Sequence, residues 1–404
     1  MPTAEGRKGL QSQWSRTVRA DPFGIRQSSF GIDVSLKDIV LEQIRTDGPI
    51  TAAAFIELAL YHPEFGYYSG AGRRSGRGGD FYTSVDVGPL FGELLAVQIA
   101  ECFDYLDRDP LDLVEAAAGD GRLARDVLDA LERERPDLYQ RTRMTLVERS
   151  GTATGAQAET LQHHARQLRA GPRSEPPTRT ELPGGAVGVV YANELLDALP
   201  VHVVVMRREG LKEIFVGDEN GTLVEIEAAP STPALQAYLD RGGIALEPGG
   251  RAEINLAADD WIASAGQKIE RGFLVLIDYG HEARELFSGS HATGTLTTFA
   301  SHRAASRTTE WLRDPGERDI TSHVDLTAVR LSAEHAGFTT LGITDQTYFL
   351  LGLGLLERAG VQRTNQAKTL MLPGGLGSTH KVMIFGKGVG QPALKGLSYR
   401  VRVT

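Results

Sequence analysis

The chain has 404 residues, 41% of them hydrophobic, enough to bury a large core as one elaborated domain or as two or three. Its formal net charge of −9 argues against a broad nucleic-acid footprint, and a single cysteine, Cys102, excludes an internal disulfide and a multi-cysteine zinc site. No apolar run approaches the roughly 20 residues that span a bilayer, so neither nucleic acid nor membrane is an expected partner, and the cytoplasm is the expected compartment.

Residues 1–34 carry Arg7, Lys8, Arg16, Arg19 and Arg26 among serines, and read equally well as an organellar address or a loose tail. From Ser35 to Arg45 the apolar spacing is helical, and Pro49 ends it. Thr51 is suited to cap a second helix, Ala52 to Tyr61, which stops before Pro63. HPEFGYYSGAGRRSGRGGDFYTS then reads as a surface loop or as a mobile cover over a site, being dense in glycine and bordered by aromatics and Asp80. A helix beginning near Gly88-Pro89 runs through Leu94, Leu95, Ile99 and Phe103 and buries Cys102.

Leu111 to Leu128, LDLVEAAAGDGRLARDVL, has the order strand, glycine turn, helix. Glycine lets the backbone approach a ligand closely, and the helix start offers unpaired N–H groups. Two cofactor patterns fit. A dinucleotide fingerprint falls on Gly119, Gly121 and Ala124. A pattern for S-adenosylmethionine (SAM), acidic-x-G-x-G-x-G, falls on Glu115, Ala117, Gly119 and Gly121 and misses only at Ala117. A second strand, Met144 to Val147, ends in Glu148, about 27 residues past Gly121, where an acid can take ribose hydroxyls.

Ala156 to Leu168 reads as helix, and a proline-rich connector leads to the buried-strand pattern Gly188 to Ala192. That run ends at NELLDALP, which places Glu194 and Asp197 where ligands of open α/β sheets collect. Alternation between Val201 and Glu227, with Asn220-Gly221 as a hairpin turn, marks a small antiparallel insertion after the fourth strand. Ala252 to Leu256, a helix around Trp261 to Ile269 and the strand Phe273 to Asp278 return the chain to the main sheet. Gly294 to Val324 has little period but many polar side chains (His302, Arg303, Asp319, Thr321, Ser322, His323), which suggests a functional or disordered segment. Helix Leu326 to Ala336, strand Thr339 to Thr344, helix Tyr348 to Arg358, strand Lys381 to Phe385 and a tail complete the chain. Asp278, His281, His302, His323 and Asp325 lack a compact His-x-x-x-His spacing, so no metal is expected.

Several blocks together resemble the MidA-type methyltransferases, a family related to an assembly factor of mitochondrial respiratory complex I. They are GPITAAAFIELALYHPEFGYY, GDFYTSVDVGPLFGELLA, the glycine motif, ANELLDALPVH, LIDYGH, GTLTTFASHR and DITSHVDLT, in the family's order over about 280 residues. The resemblance implies an α/β, class I (Rossmann-like) methyltransferase sheet with an N-terminal helical extension. It also implies SAM as methyl donor and, by its characterised branch, a protein or peptide arginine as acceptor, with the mitochondrial matrix as compartment if the source is eukaryotic. The family would place glycine where Ala117 stands.

The expected organisation is a tail (1–34), a helical extension with the glycine-rich loop (35–108), a SAM-binding core (109–387) with insertions at 201–255 and 281–325, and a C-terminal tail (388–404). Glu115, Ala117, Gly119, Gly121 and Glu148 are the expected cofactor residues, joined by Thr83, Ser84 and Asn193 from the matching blocks. Carboxylates would grip a guanidinium by its edges. Glu194 and Asp197 are first choices for this, with His202 and His323 as proton acceptors or orienting partners. A methyltransferase of another N or O acceptor, a non-catalytic assembly factor keeping the fold, and a nicotinamide oxidoreductase are the competing readings.

Overall fold

The computed structural model describes residues 34–70, 83–168, 178–300, 303–305, 309–372 and 376–399. His302 and most of the glycine-rich loop after Gly70 therefore lie outside the described residues. The central sheet contains β1 (Leu111–Ala116), β2 (Thr142–Val147), β3 (Thr178–Arg179), β4 (Ala186–Asn193), β5 (Ile269–His281), β6 (Thr339–Asp345) and β7 (His380–Lys387). Their order is β6-β7-β5-β4-β1-β2-β3. All neighbours are parallel except β7, which runs antiparallel to both β5 and β6.

Every residue of β1 is buried, as a strand covered on both faces requires. Alternate side chains serve two layers. Leu113, Val189 and Val275 face a core shared with α3 (Leu90–Asp104) and α4 (Arg122–Glu134). Val114, Val190 and Leu274 face the opposite core, shared with Ile262 and Val329 from the helices Leu256–Lys268 and Leu326–His335. Strand order reverses between β1 and β4, which opens a crevice at their carboxyl ends.

The insertion after β4 is a separate antiparallel sheet of His202–Arg207, Gly210–Glu219, Thr222–Ala228 and Arg251–Ile254, and Ile50–Thr51 adds a short edge pairing. Its hairpin turns at Asn220 and Gly221, both with positive φ. The helices α1 (Leu36–Asp47) and α2 (Ala52–Tyr61) pack on this sheet: Ile39, Phe55 and Ile56 share a core with Val203, Val205, Ile214 and Val216. Thr51 caps the second helix by accepting from the Ala54 N–H at 3.1 Å. The N-terminal helices and the insertion sheet thus form one layer, which carries Tyr61 and Tyr68 to the crevice.

Three elements differ from the sequence expectation. The helix expected from Ala156 to Leu168 runs Gly151–Thr160, because the Ser150 hydroxyl caps it by accepting from Ala153 N–H. The helix expected from Tyr348 to Arg358 is broken at Gly354 (φ +87°) into Gln346–Gly352 and Leu355–Ala359. The segment 294–324 is not structureless, since Thr297–Ala300, Arg303–Ala305 and Asp319–Thr321 form a three-stranded sheet. Beyond β7, the chain returns across α3, where Gly396 N–H donates to Gln98 Oε1 at 3.1 Å.

Candidate active site

Between β1 and α4 the backbone turns through three left-handed residues, Ala117 (φ +54°), Gly119 (φ +52°) and Gly121 (φ +81°). Glycine adopts such angles freely, and alanine does so at a cost of roughly 1–2 kcal/mol. A glycine at position 117, which the resemblance implies, would have a backbone reason, and this chain carries the strain. The turn is pinned from the next strand. Gly119 N–H donates to Glu148 Oε2 at 2.8 Å, Ser150 N–H donates to Glu148 Oε1 at 2.7 Å, and Gln157 donates to Gly119 O at 2.7 Å. Below it, the buried Glu115 accepts from the Tyr191 hydroxyl at 3.0 Å, and burial pushes its carboxyl well above the usual range.

The crevice widens into a cavity of about 840 Å³, within the size range of small-molecule sites. Glu115, Ala117, Gly119, Glu148, Asn193 and Thr83 line one side. These residues fit SAM. Each Glu148 oxygen keeps a second lone pair for a ribose hydroxyl, and the buried Asn193 Oδ1 has no donor among the described residues, which suits an amino group.

The other side is acidic and aromatic. At the end of β4, Glu194 is held at φ +54°, its N–H bound to Ile277 O at 2.8 Å. Asp278, buried at the end of β5, accepts from the backbone N–H groups of Leu196 (2.8 Å) and Tyr279 (2.9 Å) and so fixes the NELLDA loop. Burial and the nearby Asp197 hold its carboxyl well above its usual range. Asp197 is 9% exposed; Thr321 donates to its Oδ2 at 2.9 Å, while Oδ1 has no partner among the described residues. Burial first, and the negative charge of Glu194 next, push its carboxyl up to about 6. His380, at the start of β7, brings Nε2 to 3.5 Å from Glu194 Oε1. Tyr68 donates to Asp319 Oδ1 at 3.0 Å, Tyr61 donates to Ala198 O at 2.9 Å, and the two rings stack with centroids 5.5 Å apart. Tyr279, hydrogen-bonded to Thr321, and Trp261 complete the aromatic wall.

Eight of the residues expected from sequence thus line one cavity: Thr83, Glu115, Ala117, Gly119, Glu148, Asn193, Glu194 and Asp197. Gly121 caps α4 behind the turn, where a Cβ would meet Leu161 at 3.2 Å. Ser84 is fully buried and donates to Gln346 instead. The two expected histidines are elsewhere. His202 lies on the insertion sheet, with Nδ1 2.7 Å from Glu213 Oε1. His323 lies beside His281 and His291, and burial with those two neighbours pushes it down to about 4. Neither lines the cavity, because alternation along the insertion strand and the turn after Thr321 direct them away. His380 was not anticipated, and a lone histidine before a strand gives no sequence signal. Tyr61, Tyr68 and Tyr279 stood inside the matched blocks with no role assigned.

A family model of S-adenosyl-L-methionine-dependent methyltransferases matches residues 94–344, more than half of the chain. The chain belongs to this family. A crystal structure of a Burkholderia thailandensis protein bound to S-adenosyl-homocysteine superposes with a TM-score of 0.81 at 29% identity, covering 91% of this chain and 95% of that one. The Drosophila melanogaster protein named "Protein arginine methyltransferase NDUFAF7 homolog, mitochondrial" is 28% identical over 84% of this chain and 78% of its own length. Its Danio rerio counterpart is 27% identical over 83% of this chain and 80% of its own. This member of the methyltransferase family has the Rossmann-like fold, uses SAM as cofactor and is a SAM-dependent methyltransferase. The expected cytoplasmic placement finds no support, since these curated relatives carry mitochondrial names.

Proposed function

We propose that the protein transfers a methyl group to an arginine guanidinium presented by a protein or peptide. The observation that carries this reading is Asp197, buried at the cavity wall beside Glu194 with Oδ1 unpartnered among the described residues. A buried acid and a half-buried one beside it repel each other, and an acceptor atom without a donor is costly. A guanidinium relieves both conditions, being permanently cationic with five N–H donors in a planar fork. Tyr68, Tyr279 and Trp261 line the same cavity and are suited to a flat, delocalised cation, whereas the Tyr61 ring already lies under the Arg149 guanidinium at 4.3 Å. The names of the curated relatives support the same acceptor.

When bound, the cofactor supplies an electrophilic methyl group on a sulfonium. The protein's share is to align the acceptor nitrogen and exclude water. Glu194 and Asp197, holding two edges of the guanidinium, draw its positive charge toward the nitrogens they contact and leave the third with a lone pair. After transfer, the Glu194 oxygen outside the grip, which faces His380, takes the proton that the methylated nitrogen sheds. His380 takes the place that sequence reasoning gave to His202 and His323.

The test is intact-mass and fragment analysis of candidate proteins and arginine peptides after incubation with methyl-labelled SAM. One or two methyl increments on an arginine are expected. Label on lysine, a carboxyl or a hydroxyl, with SAM binding intact, overturns the acceptor assignment.

A further inference from the structure

Outside the cavity, the fold gathers three histidines that the sequence holds far apart. His281 ends β5, His291 lies in the turn Gly289–His291, and His323 follows the strand Asp319–Thr321. One ring nitrogen from each lies within 4.8 Å of one from each of the others. Ring centroids are 5.2 Å apart for His281–His291 and His281–His323, and 6.0 Å for His291–His323. We propose that His281, His291 and His323 form a binding site for a divalent transition cation of the zinc type.

Glu285 presets two of the three rings. Its carboxylate Oε1 lies 3.1 Å from His281 Nδ1, and its backbone carbonyl lies 3.1 Å from His291 Nδ1. A carboxylate and a carbonyl only accept, so both Nδ1 atoms carry the proton and both Nε2 atoms keep the lone pair. That is the outer-shell arrangement that orients metal-ligating imidazoles. His323 adds an independent sign, since its Nδ1 is buried with no hydrogen-bond partner among the described residues. Its backbone is held in place, with N–H donating to Thr295 Oγ1 at 3.1 Å. All three residues are only partly buried, which leaves an entry path and room for a fourth, non-protein ligand. Tetrahedral zinc, with nitrogens at about 2.0–2.1 Å, needs ligand atoms roughly 3.4 Å apart, so side-chain rotations of about 1.4 Å close the site. Imidazole donors favour zinc, copper, nickel and iron over magnesium or calcium.

A second histidine group, Glu132, His163 and His164, makes the contrast. His164 has Nδ1 2.8 Å from the Tyr139 hydroxyl and Nε2 3.0 Å from Asp129, so its lone pair is already used.

A cation at the triad would tie the end of β5 to the segment that carries Asp319 and Thr321 into the cavity. Tyr279, on the cavity wall, already meets the His323 ring edge-on at 5.5 Å. The site would therefore brace the acceptor side without touching substrate, and its existence does not depend on which acceptor is methylated.

The experiment uses full-length, tag-free protein stripped with a chelator and titrated with Zn²⁺ and with Co²⁺. One equivalent of zinc by elemental analysis, a tetrahedral Co²⁺ absorption spectrum and a raised melting temperature are expected. His291→Ala, in a partly exposed turn, and His281→Asn should each lower zinc affinity at least tenfold, whereas His163→Ala should leave it unchanged. Substoichiometric zinc in the wild type, or undiminished affinity in both triad variants, overturns the proposal.

Discussion

On the cofactor side of the cavity, polar groups are already paired within the protein: Glu148 binds two backbone N–H groups, and Gln157 holds the Gly119 carbonyl. On the acceptor side they are left wanting. Asp197 Oδ1 and His380 Nε2 are buried without hydrogen-bond partners among the described residues, and Glu194 is held in a left-handed conformation. The first side is a finished cradle of backbone. The second stores electrostatic repulsion that a cationic substrate would relieve.

The largest effect should come from breaking the unfinished side. Asp197→Asn keeps shape and the hydrogen bond from Thr321 but removes the charge, and turnover should fall about 10²–10³-fold. SAM affinity, measured by titration calorimetry, should change less than threefold. The same variant should be more stable at pH 7, because the wild-type carboxyl is ionised there against the cost of burial and of Glu194. A shift of about two pKa units sets the gain at no more than roughly 3 kcal/mol. Glu194→Gln should show a similar loss of turnover with cofactor binding kept. Wild-type turnover in either variant would remove the acidic grip from the mechanism.

Attacking the finished side should give the opposite split. Glu148→Ala frees Gly119 N–H and Ser150 N–H and removes the acid facing the cavity. SAM affinity should drop about 10–100-fold, as expected for losing hydrogen bonds to a charged group. The turnover number at saturating SAM should stay within a few fold. If it falls instead as far as in Asp197→Asn, the division between the two sides is wrong.

The same contrast explains what could be read from sequence. The cofactor side is local: one strand, one turn and one helix within Leu111 to Leu128, plus an acid at the next strand's end. Periodicity and glycine spacing encode such a unit directly. NELLDALP was legible for a related reason, since strand ends are where ligands gather. His380 enters from β7, the antiparallel strand between β5 and β6, and Tyr61 and Tyr68 arrive on helices bound to the insertion sheet. Those contacts arise from tertiary packing, and no short window of sequence contains them. His323 misled for the same reason. Its block does reach the cavity through Asp319 and Thr321, but two residues later the chain has turned toward His281 and His291.

A tenfold effect should follow from pH. With the Asp197 carboxyl at about 6, kcat/KM should rise about tenfold per pH unit below that value and level off above it. Stability runs the other way. A carboxyl raised in the folded state contributes stability that is complete below its unfolded value near 4 and is lost as pH climbs through about 6. Between those values activity should increase while the melting temperature falls, and Asp197→Asn should flatten the stability trend. A wild-type rate profile flat from pH 5 to 7 would detach Asp197 from the rate.

The smallest effect should be at Ala117, where the cofactor side holds an alanine in a left-handed turn. Its φ of +54° means alanine bears left-handed strain of roughly 1–2 kcal/mol, which glycine would release. Glycine also loses more entropy on folding, roughly 0.5–1 kcal/mol against alanine, so Ala117→Gly should gain at most about 1 kcal/mol. SAM affinity should tighten by less than about fivefold, since Glu148 and Gln157 already hold the turn from outside. A gain of fiftyfold would mean the methyl group of Ala117 obstructs the ligand as well as straining the chain. A loss would mean that methyl contacts the cofactor productively, and that the missing glycine is a substitution this site has come to use.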